Sequence, residues 1–159
     1  MWEATLLHTF FAHASELEDN RITAWGDPVG GASSDITVIP PHFSLVEKLR
    51  FSGKSLLEAL ALGLEVHSRT TLFSAEHGGL MFVPGVAAAK AMGLGVKEIT
   101  RALGLAASNF PLSHLNFSTD AHYFESALKS LQAIIAAEMA KEGMSGNSKM
   151  IMRIFPICW

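Results

Sequence analysis

Between His13 and Pro41 the chain reads HASELEDNRITAWGDPVGGASSDITVIPP, which sets Glu16, Glu18, Asp19, Asp27 and Asp35 among glycines, serines and prolines. The apolar run Leu6-Leu7-His8-Thr9-Phe10-Phe11 stands just before it. Acid held against an apolar wall is costly unless a partner or a ligand uses it, although a solvated acidic loop has the same composition. The continuation Gly30-Gly31-Ala32-Ser33-Ser34-Asp35 is a small-residue turn feeding a helix. Its backbone N–H groups favour a carboxylate or a phosphate.

Seven histidines, at 8, 13, 42, 67, 77, 114 and 122, are the other chemical resource. Taken singly, each is ordinarily a surface or core histidine. Two fall where chemistry is expected: His77 in Glu76-His77-Gly78-Gly79, and His122 at the start of the last helix. A helix N-terminus favours a neutral imidazole, and a neutral imidazole beside ionised carboxylates serves as a general base or acid near pH 7. A metal site is the competing use of such residues. No His-Glu-x-x-His or other short metal spacing occurs, so ligands such as His13, His77 and His122 would have to be assembled across loops. There is no Gly-x-Ser-x-Gly elbow, phosphate loop or dinucleotide fingerprint. The single cysteine, Cys158, excludes an internal disulfide framework and a thiolate metal cluster.

These loops need helices to position them. Leu6, Leu7, Phe10, Phe11 and Ala14 recur at three- and four-residue spacings, so Trp2 to Ala14 forms a helix with one apolar stripe that delivers the acidic stretch. Pro28, Gly30-Gly31 and Pro40-Pro41 predict a loop with at most a short helix from about Ser34, after which Phe43, Leu45, Val46 and Leu49 resume a helical period. Ser52 or Ser55 caps the next helix, with Ser55-Leu56-Leu57-Glu58 spaced as a capping box, and it runs to about Arg69 with Leu57, Leu60 and Leu64 as its core stripe. Gly63 in that helix permits a close approach by a neighbour.

Further helices are expected from near Met81 to Gly93, from Val96 to Ala107 with Ile99, Leu103 and Ala106 inward, and from Phe124 to Lys141, ending at Gly143. The last carries Phe124, Leu128, Leu131, Ile134 or Ile135, and Met139 on one face. No strand alternation is evident. The expected fold is all-α, a multi-helix bundle with polar loops at 15–35, 74–80 and 109–121. The tetrapeptide Ala-Leu-Gly-Leu occurs at 61–64 and 102–105 in different contexts, which reads as coincidence.

A chain of 159 residues makes one domain with a real core. Its 49% hydrophobic and 17% charged content points to surface meant for another subunit or another part of the protein. A net charge of −3 with scattered basic residues indicates neither nucleic acid nor an anionic membrane. No apolar run reaches the ~20 residues of a membrane span, and Met-Trp-Glu-Ala-Thr lacks a basic leader. A soluble, cytoplasmic protein is expected.

Many short matches in order then carry a resemblance. Glu16-Leu17-Glu18-Asp19-Asn20, Asp27-Pro28, Gly53 to Leu60, Gly63-Leu64-Glu65-Val66, His77, Ala87-Ala88-Ala89-Lys90, Ile99, Arg101 to Ala106, and Ala137 to Gly146 together resemble the helical domain of the MmgE/PrpD family. That family includes 2-methylcitrate dehydratase, cis-aconitate decarboxylase and an iminodisuccinate epimerase, which work on small polycarboxylates without a cofactor. The resemblance implies lyase or epimerase chemistry, with proton removal or delivery beside a carboxylate of a di- or tricarboxylate. It also implies a homodimer, no cofactor and no bound metal.

Carried over residue by residue, the resemblance implies an acid-base set of Glu16, Asp19, Asp27, His77 and His122, with Asn20, Arg21, Ser33 and Arg69 holding the substrate. Asn20 stands where the family has threonine, Asp27 where it has a histidine, and His122 at or near a lysine position. The last two changes remove positive charge where a polycarboxylate binds. Family members are longer, and 147–159 (NSKMIMRIFPICW) does not follow the pattern. The expected organisation is therefore a partial helical domain over 1–146 and an unrelated tail over 147–159. The alternative function is a non-catalytic helical fragment that associates through exposed apolar faces.

Overall fold

The computed structural model describes residues 1–17, 22–24, 27–30, 33–71, 83–108 and 119–147, with the backbone alone at 22–24, 27–30, 69–71 and 83–84. Among the described residues six helices carry the fold: α1 (Trp2–Ala14), α2 (Ser34–Leu49), α3 (Gly53–Thr71), α4 (Val83–Ala91), α5 (Val96–Ala106) and α6 (Asp120–Lys141). The architecture is all-α. The acidic loop adds a small antiparallel ribbon, β1 (Ile22–Ala24) and β2 (Asp27–Gly30), in which Ala24 faces Asp27. Strands of three and four residues are too short to register as a period of two, which is why no alternation announced them.

Helix α6 is the axis of the bundle and packs against α1, α2, α4 and α5, while α3 leans on α2 and α4. The core is built mainly from alanine. Ala87, Ala88, Ala89 and Ala91 of α4, Ala102 and Ala106 of α5, and Ala127, Ala133, Ala136, Ala137 and Ala140 of α6 are buried, with Ile134 and Leu45 as the larger members. A methyl side chain removes little area from water, so such a core gains from close backbone approach and the dispersion contacts it permits.

The buried faces of α1 and α3 differ from the apolar stripes that their spacing predicts. In α1 the buried residues are Thr5, Thr9 and His13, whereas Leu7 and Phe11 are 51% and 65% exposed. Among the described side chains of α3 they are Ala59, Gly63 and His67, and Leu57 is 68% exposed. Both rows follow the pattern small, small, histidine at every fourth residue. Tight crossings select the narrow face of a helix, and the bulky apolar side chains are left to flank the contact. Gly63 shows the constraint directly, because a Cβ there would lie 2.9 Å from the Ala87 Cβ and 2.9 Å from Val38 Cγ1.

Gly104 is the counterpart in the second Ala-Leu-Gly-Leu, where a Cβ would lie 3.0 Å from the carbonyl carbon of Gly146. The two tetrapeptides share a device: each sets a buried glycine against a neighbouring backbone or side chain.

Pro40 and Pro41 do not interrupt α2, which runs continuously from Ser34 to Leu49. Their missing N–H groups leave the carbonyls of Ile36 and Thr37 without helical donors. The Thr37 carbonyl accepts a long contact from Ser130 Oγ of α6 at 3.5 Å. A bundle that supplies a donor from a neighbouring helix offsets part of the proline penalty, and that tertiary help is invisible in local sequence.

Helix ends follow the glycines. Gly93 (φ 74°) and Gly143 (φ 91°) close α4 and α6, with Leu94 N donating to Ala89 O and Met144 N to Met139 O. At the start of α3 it is Ser52 that caps, accepting from Ser55 N at 3.2 Å. The capping box from Ser55 is not used, and Glu58 instead pairs with Lys54 at 3.8 Å.

Candidate functional site

Of the residues that the sequence nominates, Glu16 and His122 are brought to one place. Helix α1 ends beside the start of α6, so the turn after His13 faces the first turn after Thr119. His13 is 1% exposed, and its ring lies against that of His122 with centroids 4.4 Å apart and a tilt of 57°. Tyr123 stands edge-on to His13 at 5.3 Å and to Phe10 at 6.1 Å. The Tyr123 hydroxyl donates to the Glu16 carboxylate, and this bond is the largest cause of a phenol pKa raised above its ordinary 10.0, followed by burial and the charges of Glu16 and Asp120.

Glu16 reaches the site through its backbone. It follows the last residues of α1 in the left-handed region at φ 52°, and its N–H donates to His13 O at 3.0 Å. A side chain in that conformation costs about 1–2 kcal/mol, and the left-handed region is where helices commonly end. Two further non-glycine residues share the conformation among those described, Ser33 (46°) and Arg50 (53°). Ser33 is the N-cap of α2 yet makes no capping bond with its hydroxyl.

Burial is the first reason that the His13 pKa falls below its usual 6.5, and the charge of His122 is the second, while Glu16 opposes both. A neutral imidazole, a phenol tied to a carboxylate and a second imidazole in the first turn of a helix make up an acid-base cluster. It can accept or deliver a proton next to an anion. Among the described residues no three His, Cys, Asp or Glu side chains converge as a metal site.

The other nominated residues stand apart from this account or outside it. Asp27 opens β2 opposite Ala24, and Arg69 lies in the last turns of α3; the backbone alone is described for both. Asp19, Asn20, Arg21 and His77 lie outside the described residues. Sequence reasoning passed over Tyr123 and left His13 out of the acid-base set, weighing it only with His77 and His122 as a metal ligand. The signal available for His13 was the four-residue row Thr5, Thr9, His13, which marks a buried face once apolar size is set aside.

No helix among the described residues is long and apolar enough to cross a membrane. No curated protein matches the chain in sequence. The family model of the MmgE/PrpD N-terminal domain, however, matches residues 1–153. With nearly the whole chain inside that match and the fold helical as the resemblance implies, this protein belongs to the MmgE/PrpD family.

Proposed function

We propose that this chain is a lyase- or isomerase-type domain that acts on a small di- or tricarboxylate by cofactor-independent acid-base chemistry. Glu16, Asp19, Asp27, His77 and His122 form the acid-base set, and Asn20, Arg21, Ser33 and Arg69 hold the substrate carboxylates. The domain is carried by residues 1–146, with 147–159 outside it. The protein is soluble and cytoplasmic and works as a homodimer. The observation that carries this reading is the meeting of Glu16, Tyr123 and His122 at the junction of α1 and α6, in a chain of this family.

A thermal-shift series with malate, aspartate and citrate tests it. A ligand at a hundredfold excess over its Kd stabilises by about 2.7 kcal/mol, roughly 5–10 °C for a chain of this size. The expected result is a concentration-dependent rise with at least one acid, lost in His122→Ala and in Glu16→Gln. A flat response to all three acids rejects the reading.

A second reading has its own observation. Trp2, Leu7, Phe11, Phe43 and Phe124 are large apolar residues left exposed, which fits a non-catalytic helical fragment that associates through those faces. It expects concentration-dependent association in sedimentation velocity without any ligand response. A monodisperse monomer contradicts it.

A further inference from the structure

His13 is the titratable group of the cluster that the proposed chemistry leaves unused. At 1% exposure it cannot touch a ligand, yet its ring is packed against the one imidazole of the cluster that reaches the surface. It is also fixed more firmly than a loop histidine, because it ends the buried row of α1 whose other members are Thr5 and Thr9.

We infer that His13 is a positioning residue. Its buried ring is the platform that holds the His122 imidazole in one orientation, with Tyr123 as a second wall. The inference rests on the reading of His122 as the acid-base group. Three contacts close the arrangement: His13 with His122 at 4.4 Å, His13 with Tyr123 at 5.3 Å, and His122 with Tyr123 at 5.7 Å. The triangle is braced from outside, since Glu16 holds the Tyr123 hydroxyl and Phe10 meets the Tyr123 ring edge-on. His122 and Tyr123 are adjacent in the first turn of α6, so a platform from another helix is what gives the half-buried imidazole a defined direction. Catalytic side chains need that kind of support, because small errors of orientation cost rate steeply.

The test uses the whole 159-residue chain labelled with ¹⁵N at histidine. The tautomer ratio of His122 and its ring contacts with Tyr123 are read by NMR at about pH 8. His13→Leu fills similar volume without a planar face, and His13→Phe restores the face without the ring nitrogens. Aromatic contacts of this type contribute about 0.5–1.5 kcal/mol, so the ratio of the held orientation to the others should fall about two- to tenfold in the leucine variant. The phenylalanine variant should recover it.

An unchanged tautomer ratio and unchanged contacts in His13→Leu overturn the inference. So does a loss that His13→Phe fails to restore. Unfolding by urea checks that both variants are folded, and a melted leucine variant leaves the native and phenylalanine spectra to decide: if they differ in the orientation of His122, the platform is rejected. No ligand enters the measurement, so a protein that binds none of the acids above can still show the platform, and the two failures are separable.

Discussion

The two flanks of α6 are built from opposite chemistry. Toward α4 and α5 the buried residues are nearly all alanine, with Gly85 close enough that a Cβ there would lie 3.4 Å from the Ala133 carbonyl. Toward α1 and α2 the buried residues include Thr5, Thr9, His13, Thr37 and His42, together with Ser126 and Ser130 of α6 itself. Thr5 Oγ1 and Thr9 Oγ1 have no hydrogen-bond partner among the described residues, a condition that usually costs stability. One flank is therefore a tight alanine seam, whereas the other carries buried hydroxyls and ends at the cluster of His13, His122, Tyr123 and Glu16. Departures from the most stable packing gather where a protein has a site to hold.

The comparison breaks most visibly if the alanine flank is overfilled. Ala88→Leu, at a position with no exposure, should lower stability by about 1–3 kcal/mol through overpacking, seen as a reduced urea midpoint, and should leave the orientation of His122 as it is. A neutral result would mean that the flank is loose. Gly63→Ala tests the same point on α3. The helix propensity gained is up to about 1 kcal/mol, but neither the Ala87 Cβ nor the buried Val38 at 2.9 Å can move aside, so a net loss is expected.

The polar flank should respond to pH where the alanine flank does not. Because the folded protein holds the His13 pKa below 6.5, through burial first and His122 second, the unfolded chain binds more protons in the window just below 6.5. The contribution of His13 is present in full above pH 6.5 and is lost as pH falls from there through the depressed folded value. Urea midpoints measured at several pH values should show this loss in the native chain and a smaller one in His13→Phe. Equal slopes would remove His13 as the cause.

Smaller effects sharpen the contrast. Thr9→Val replaces a hydroxyl without a partner by a methyl of the same shape and should raise stability by about 1 kcal/mol; a fall would show that the hydroxyl is satisfied after all. The left-handed residues form a pair of controls. Arg50→Gly should stabilise by up to about 1 kcal/mol. Glu16→Gly, given the same backbone relief, should also bring the Tyr123 phenol back toward pKa 10.0, since the Glu16 bond is the first cause of its raised value. Ultraviolet titration of the single tyrosine reads this directly.

Helix order and most boundaries were legible in the sequence because Gly93 and Gly143 punctuate the chain and Ser52 caps it. His122 was legible beside the start of the last helix, although that helix begins at Asp120 and not at the expected Phe124. The buried faces were not. Leu7, Phe11 and Leu57 have the right spacing for a core stripe, but a bundle this tight admits Thr9 and Gly63 at its crossings and turns the larger side chains outward. The continuity of α2 through Pro40 and Pro41 was hidden too, since part of the remedy comes from Ser130, 93 positions away. The contact of Glu16 with Tyr123 depends on a left-handed backbone at a glutamate, and residue type gives no hint of that. Asp19 and His77 remain proposals drawn from the family.

The alanine flank has one more consequence, in entropy. An alanine has no side-chain rotamers to lose, so a seam of methyl groups forms without the side-chain ordering cost that leucine or methionine would add. It also exposes less apolar surface on unfolding, and the heat-capacity change scales with that surface. The stability of this flank should therefore vary more gently with temperature than that of a leucine-filled core of the same length, giving α6 a support that stays firm on cooling.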